Sequence, residues 1–189
     1  MMQHKEETGT KKDLVLYRIQ TSRDNLKSAR ILFQAEEYKG ANNRAYYAIF
    51  HAINAIHAVK GKAYKRHKDA IANFNKEYVK TEIFPREMGR KISEAEEIRH
   101  ASDYDDFYIA SREEAERQIT VAEEFIQLSE KYCLEELEKE ERSFVSDLKG
   151  DGEADIDDTV DTLTGSIPDT GIPLEEYRTE RRKQYEKDD

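Results

Sequence analysis

Asn43-Arg44-Ala45-Tyr46-Tyr47-Ala48-Ile49-Phe50-His51-Ala52 is the stretch whose spacing decides the fold. Wound at about 3.6 residues per turn, the segment 41–59 sorts into faces. Ala41, Ala45, Ala48, Ala52, Ala55 and Val59 make one narrow stripe. Tyr46, Ile49, Ile53 and Ile56 flank it on one side, and Arg44, Tyr47, His51 and Ala58 on the other. A helix that is apolar or aromatic almost all round is a buried helix, and an alanine seam admits a neighbouring backbone at short range. The pattern predicts a helix over 40–60 stopped by Gly61. Arg44 and His51 then fall close to a packed core, where a polar group is costly unless it finds a partner.

The segments on either side carry the same periodicity. Over 12–36, Val15, Ile19, Leu26, Ala29 and Phe33 form an apolar stripe with Ser22 inside it. Beyond a basic connection (Lys60, Lys62, Lys65, Arg66, His67, Lys68), a third helix over 67–80 places Ile71, Phe74 and Tyr78 on one side. Pro85 is suited to open a fourth, running through Ile92 and Ile98 to 103. The fifth, over 111–141, repeats Ala115, Ile119, Ala122, Ile126, Ser129 and Cys133 at heptad spacing. No alternating β-pattern competes. The expected fold is all-α: an antiparallel bundle of about five helices with an acidic C-terminal extension.

Composition bounds the remainder. With 37% hydrophobic residues, no Trp, eight Gly and three Pro in 189 residues, the chain suits helices joined by few turns. It has no apolar run long enough for a membrane span and no signal-peptide stretch after Met1, so a cytoplasmic protein is expected. Cys133 has no second cysteine to pair with, and its helical context makes it a core thiol. Residues 1–134 hold 23 Lys and Arg against 22 Asp and Glu (net +1), while 135–189 hold 8 against 19 (net −11), together −10. All the excess acidity therefore lies in a tail. The organisation read from this is a disordered N-terminus over 1–11, a bundle over 12–141, an acidic linker over 142–172 and a short helix over 173–187.

The tail carries two patterns. Residues 147–158 resemble a twelve-residue calcium loop with Asp147, Asp151, Asp155 and Asp158 as ligands and Gly152 at the turn. Lys149 stands where an acid belongs, Asp158 replaces the longer bidentate Glu, and no second loop pairs with it. These departures favour a plain acidic linker, and no metal or other cofactor is expected. In 173–187, Leu174, Tyr177, Arg181 and Tyr185 share a helical face, which suits a partner-docking helix, a solvated terminus or a helix folded onto its own bundle.

Three blocks together resemble a prokaryotic HEPN domain: Asn43–Ala52, then Arg66–Lys80, then Ile98-Arg99-His100-Ala101-Ser102-Asp103-Tyr104. The resemblance spans 12–132 and is to the small subgroup that stands alone or beside a nucleotidyltransferase. It implies a bundle of about five helices, a homodimer, and either a metal-independent ribonuclease or a non-catalytic RNA- or nucleotide-binding partner in defence and toxin–antitoxin systems. The catalytic form uses an arginine, four to six residues, then a histidine. Histidine supplies acid–base chemistry near neutral pH, and arginine stabilises charge on phosphate. After Arg99 those positions hold Tyr104, Asp105 and Asp106, and the adjacent His100 projects about 100° away on a helix. The motif is absent there. One literal match remains, Arg44 and His51, with six residues between them on one face.

Two readings of that pair stand. In one, Arg44 and Tyr47 organise the bundle through buried hydrogen bonds or an acid on another helix. In the other, they form a phosphate- or nucleotide-binding surface, with His51 as a general base if the protein cleaves RNA. The candidate binding residues are Arg44, Tyr47, His51, Arg99 and Tyr104. The basic connection beside Tyr64 suits a nucleic-acid backbone, yet the body's near-neutral balance lies far from the pI above about 9 of dedicated binders. The expected function is a non-catalytic HEPN protein binding RNA, nucleotide or a protein partner, a nucleotidyltransferase or a toxin or antitoxin. The alternatives are a ribonuclease using Arg44 and His51, and a structural module whose acidic tail docks a partner.

Overall fold

A computed structural model describes the chain over residues 9–150, with side chains to 146. The order is α1 (Lys11–Gln34), α2 (Tyr38–Val59), α3 (His67–Phe74), a π-helical turn (Asn75–Val79), α4 (Arg86–Tyr104) and α5 (Arg112–Gly150). Among the described residues the secondary structure is all helical, as the periodicity predicts.

The N-terminus of α1 is fixed by a reciprocal cap. Asp13 N–H donates to Thr10 Oγ1 at 3.1 Å, and Thr10 N–H donates to Asp13 Oδ2 at 2.8 Å. α2 is the central element, with fifteen of its 22 residues buried. Its alanine seam does what small residues permit: Ala41, Ala45, Ala48, Ala52 and Ala55 are all 0% exposed. The backbones come close enough for the buried Ser22 Oγ on α1 to donate to Ala48 O at 2.6 Å. With Arg18 bonded to the Asn54 carbonyl and Arg44 reaching back to Asn25, the bonds place α1 antiparallel to α2. At the far end of α2, Gly61 adopts φ 67°, and Lys62 N–H turns back to His57 O at 3.0 Å. That left-handed stop is why the helix ends where the glycine predicts.

α5 closes the bundle along α1. Its buried stripe is Ala115, Ile119, Ala122, Phe125, Ile126, Ser129, Cys133 and Leu137. Phe125 meets Phe74 edge-on at 5.4 Å and Phe84 at 5.8 Å, uniting α5 with α3 and the segment before α4. Arg30–Glu123, Arg23–Glu130, Lys11–Glu140 and Lys12–Glu141 form an antiparallel ion-pair ladder between α1 and α5. Burial pushes the Cys133 thiol up to about 12, so it is a protonated core group.

Two departures from the expected elements have local causes. The third helix changes pitch at Asn75, where α4 crosses at Gly89. A Cβ on Gly89 would lie 3.0 Å from Asn75 Oδ1 and 3.1 Å from Val79 Cγ1, so the π-helical turn and the glycine are packed to one another. α5 continues past 141 to Gly150, making 142–150 helical rather than linker. The charged segment Glu135–Arg142 supports this extension through the ion pairs Lys139–Glu136 and Arg142–Glu138. Of the calcium-loop pattern, 147–150 are the last residues of α5, while 151–158 and the helix expected over 173–187 lie outside the described residues.

Candidate functional site

The polar edge of α2 faces α4. Arg99 extends from α4 between the two tyrosines of α2, its guanidinium carbon 6.0 Å from the Tyr46 ring and 6.0 Å from the Tyr47 ring. Its Nη2 pairs with Asp103 Oδ2 at 2.9 Å and makes a long bond to the Tyr47 hydroxyl at 3.4 Å. Asn43 Nδ2 donates to the other oxygen of Asp103 at 3.1 Å. Helical spacing builds this: Asn43 and Tyr47 on α2, and Arg99 and Asp103 on α4, are each one turn apart.

His67, the first residue of α3, completes the cluster. Its ring stacks on Phe50 at 3.8 Å and lies edge-on to Tyr47 at 5.9 Å. Tyr46 Oη is 3.0 Å from His67 Nδ1. Burial holds the Tyr46 phenol well above its ordinary pKa, so it keeps its proton beside Nδ1. Burial and the charge of Arg99 keep His67 below its usual pKa and neutral. His51, half-buried one turn after Tyr47, is also held down, first by burial and then by Arg18 and His67.

The sequence-predicted residues separate. Tyr47 and Arg99 are in contact, and Arg44 joins them with its guanidinium 5.8 Å from the Tyr47 ring. Arg44 is nevertheless exposed, bonded at 3.4 Å to Asn25 Oδ1, so the expected buried bonds or acidic partner are replaced by one amide at the surface. The reason is rotational: position 44 lies on the outer side of the α1–α2 seam. Tyr104 is 69% exposed at the end of α4, packed at 4.7 Å against His100, and its hydroxyl also helps hold the charge of Arg99.

Several residues escaped sequence reading. His67 stood in a run of lysines and arginines and read as part of a charged connection. Its role depends on Phe50, which lies in a different helix. Arg18 was detectable, since it lies three after Val15 and four before Ser22, on the rim of the buried stripe. His57 is a different case. It is 0% exposed, with Nε2 at 3.0 Å from Ala70 O and Nδ1 without a partner, and burial lowers its pKa. It ties α2 to α3 from inside the core. Among the described residues, no group of three or more His, Cys, Asp or Glu side chains gathers to hold a metal ion. No described helix is long and apolar enough to cross a membrane.

The model of the HEPN domain matches residues 15–132, which takes in α1 from Val15 onward, α2 to α4, every residue of this cluster and most of the buried part of α5. The chain belongs to the HEPN domain family. The UPF0332 protein of Thermotoga maritima is 31% identical over 129 residues, covering 68% of this chain and 97% of the relative. Two Methanocaldococcus jannaschii proteins named putative toxins are also similar. MJ0142 is 29% identical over 61% of this chain and 79% of its own length, and MJ0605 is 35% identical over 57% and 80%. Among solved structures, TT1696 from Thermus thermophilus has the same fold, with a TM-score of 0.53 at 19% identity over 62% of this chain and 96% of that one. In this HEPN chain the Asn43–Ala52 block supplies both the buried seam and the tyrosines that hold Arg99.

Proposed function

We propose that this HEPN protein binds RNA or nucleotide at the Arg99 edge without cleaving it. The observation that carries this reading is the state of Arg99. It is paired with Asp103 and braced by two tyrosine rings, and no histidine follows it at the catalytic spacing. Arginine over aromatic rings, with further cations alongside, is an arrangement that engages phosphate and bases. Arg44, Tyr47, His51 and Arg99 are the proposed contacts, with Tyr104 available at the rim. The protein acts as a homodimer in the cytoplasm, beside a nucleotidyltransferase or a toxin or antitoxin partner. The relatives named as putative toxins support a toxin–antitoxin setting.

One observation favours a second reading, a ribonuclease built on Arg44 and His51. His51 is held below its ordinary pKa and is neutral at physiological pH, as a general base must be. Against it, Arg44 is turned to Asn25 and Tyr47 at the surface. Incubating the purified chain with mixed RNA in a chelator separates the two. Intact RNA is expected, and cleavage that disappears in a folded His51→Ala variant would replace the binding reading with the catalytic one. A tail-docking module is tested by removing 151–189, which leaves α5 whole. Partner co-purification that survives the deletion excludes it.

A further inference from the structure

Arg18 on α1 is a half-buried guanidinium with no carboxylate partner among the described residues. Its one protein hydrogen bond runs from Nη1 to Asn54 O at 2.6 Å. A guanidinium has five N–H donors, and none of the others on Arg18 is both sealed from solvent and unpartnered. They open onto water at the α1–α2 seam. The antiparallel register puts His51, one turn before Asn54, beside this opening. The register that sets Arg44 against Asn25 sets His51, two turns further along α2, level with Arg18, two turns back along α1. Burial and the charge of Arg18 help hold the imidazole neutral.

Arg18 and His51 thus lie level across the α1–α2 seam, and His67 stacks at 3.8 Å on Phe50, the residue before His51; all three are half-buried. Arg99 differs in that Asp103 shares its guanidinium as an ion-pair partner and accepts from Asn43. A half-buried cation without a counter-ion costs solvation that a bound anion restores, and guanidinium–phosphate bonds are among the strongest in proteins. Arg18 supplies the fixed positive charge, and the neutral imidazoles supply N–H donors that also gain a proton readily once an anion arrives.

We propose that Arg18, His51 and His67 form a phosphate-binding subsite along the α1–α2 seam. This deepens the binding reading above and rests on it only for the source of the phosphate, which is an RNA backbone or a free nucleotide. Nothing in the family blocks of the sequence singles out Arg18.

The subsite is tested first with inorganic phosphate, followed by the ring proton resonances of the full-length chain. The resonances of His51 and His67 should move on titration, while that of the sealed His57 stays still. In a folded Arg18→Gln variant the apparent affinity should fall about tenfold, the scale of one lost charge-assisted bond. If Arg18→Gln does not fold, Arg18→Lys keeps the charge without the planar fork and should show a smaller loss. Phosphate that leaves both wild-type histidines unmoved, or moves them equally in a folded Arg18→Gln, overturns the subsite. A second arm uses fluorescein-labelled single-stranded RNA with ATP as competitor. Loss of Arg18 should flatten the salt dependence by about 0.7 in logarithmic slope for each RNA phosphate released. RNA binding that ATP does not displace assigns the subsite to the backbone, and displacement by ATP assigns it to a nucleotide. Histidine shifts with phosphate in a protein that binds neither RNA nor ATP would retain the subsite and remove the RNA or nucleotide reading.

Discussion

α2 carries two histidines on different sides. His57 is sealed, bonded to Ala70 O and walled by Tyr64 at 4.7 Å and Tyr78 at 5.7 Å. His51 is half-buried, with Arg18 and His67 alongside. One residue type on one helix thus does two jobs, and the neighbours decide which. Where apolar and aromatic groups surround the ring, it is a packing piece with one hydrogen bond. Where a guanidinium without a carboxylate partner lies alongside, it becomes part of a surface suited to anions.

That contrast can be broken from the sealed side first. His57→Ala should cost about 2–4 kcal/mol, since it opens a cavity and strips Ala70 O of its partner. Urea unfolding measures it, and a loss near zero would show the ring is not a structural piece. Ala48→Leu should cost about 1–3 kcal/mol, because the seam has no room for the added carbons. It should lower the unfolding midpoint while sparing RNA affinity in the molecules that remain folded.

The polar side should behave in the opposite sense. Arg99→Ala should weaken RNA binding about tenfold or more while costing only about 1 kcal/mol of stability, because Asp103 retains Asn43. Arg99→Lys should restore little, since a single ammonium cannot bridge Asp103 and two tyrosine rings. Anisotropy with labelled RNA separates these outcomes.

pH sharpens the comparison further. His51, His57 and His67 all have folded-state pKa values below 6.5 because of burial, so the unfolded chain binds more protons as pH drops. Their contribution is full above 6.5 and is lost as pH falls through the lowered folded-state values. Urea midpoints should therefore decline on moving from neutral to mildly acid solution. A His57→Phe variant that folds should decline less. Bound phosphate should oppose the part that comes from His51 and His67. The smallest effect belongs to the α1–α5 ladder: Arg30→Ala should change stability by no more than about 0.5 kcal/mol, as exposed ion pairs usually do.

The buried side was the more legible in the sequence. Ala41, Ala45, Ala48, Ala52 and Ala55 report their own burial through their spacing, and Ser22 fits the same stripe because its hydroxyl finds a backbone carbonyl. The stop at Gly61 was equally plain, since few residues other than glycine adopt its φ at low cost. The polar edge was legible only in part. Arg99 and Tyr47 are marked by their blocks, but the stacking of His67 on Phe50 joins residues whose relation exists only after α3 folds back on α2. His57 went unnoticed because a buried histidine and a surface one occupy the same letter in an apolar run. The π-helical turn was hidden for a related reason: Gly89, which packs against it, lies in another helix.

The most direct test of the central claim is one titration with two readouts: anisotropy of a fluorescein-labelled single-stranded RNA in chelator, with the same samples run on a denaturing gel. Saturable binding by the wild type, loss of it in Arg99→Ala and RNA of unchanged length throughout are the predicted results. Wild-type samples in which the RNA is shortened, and in which His51→Ala leaves it whole, would contradict the claim.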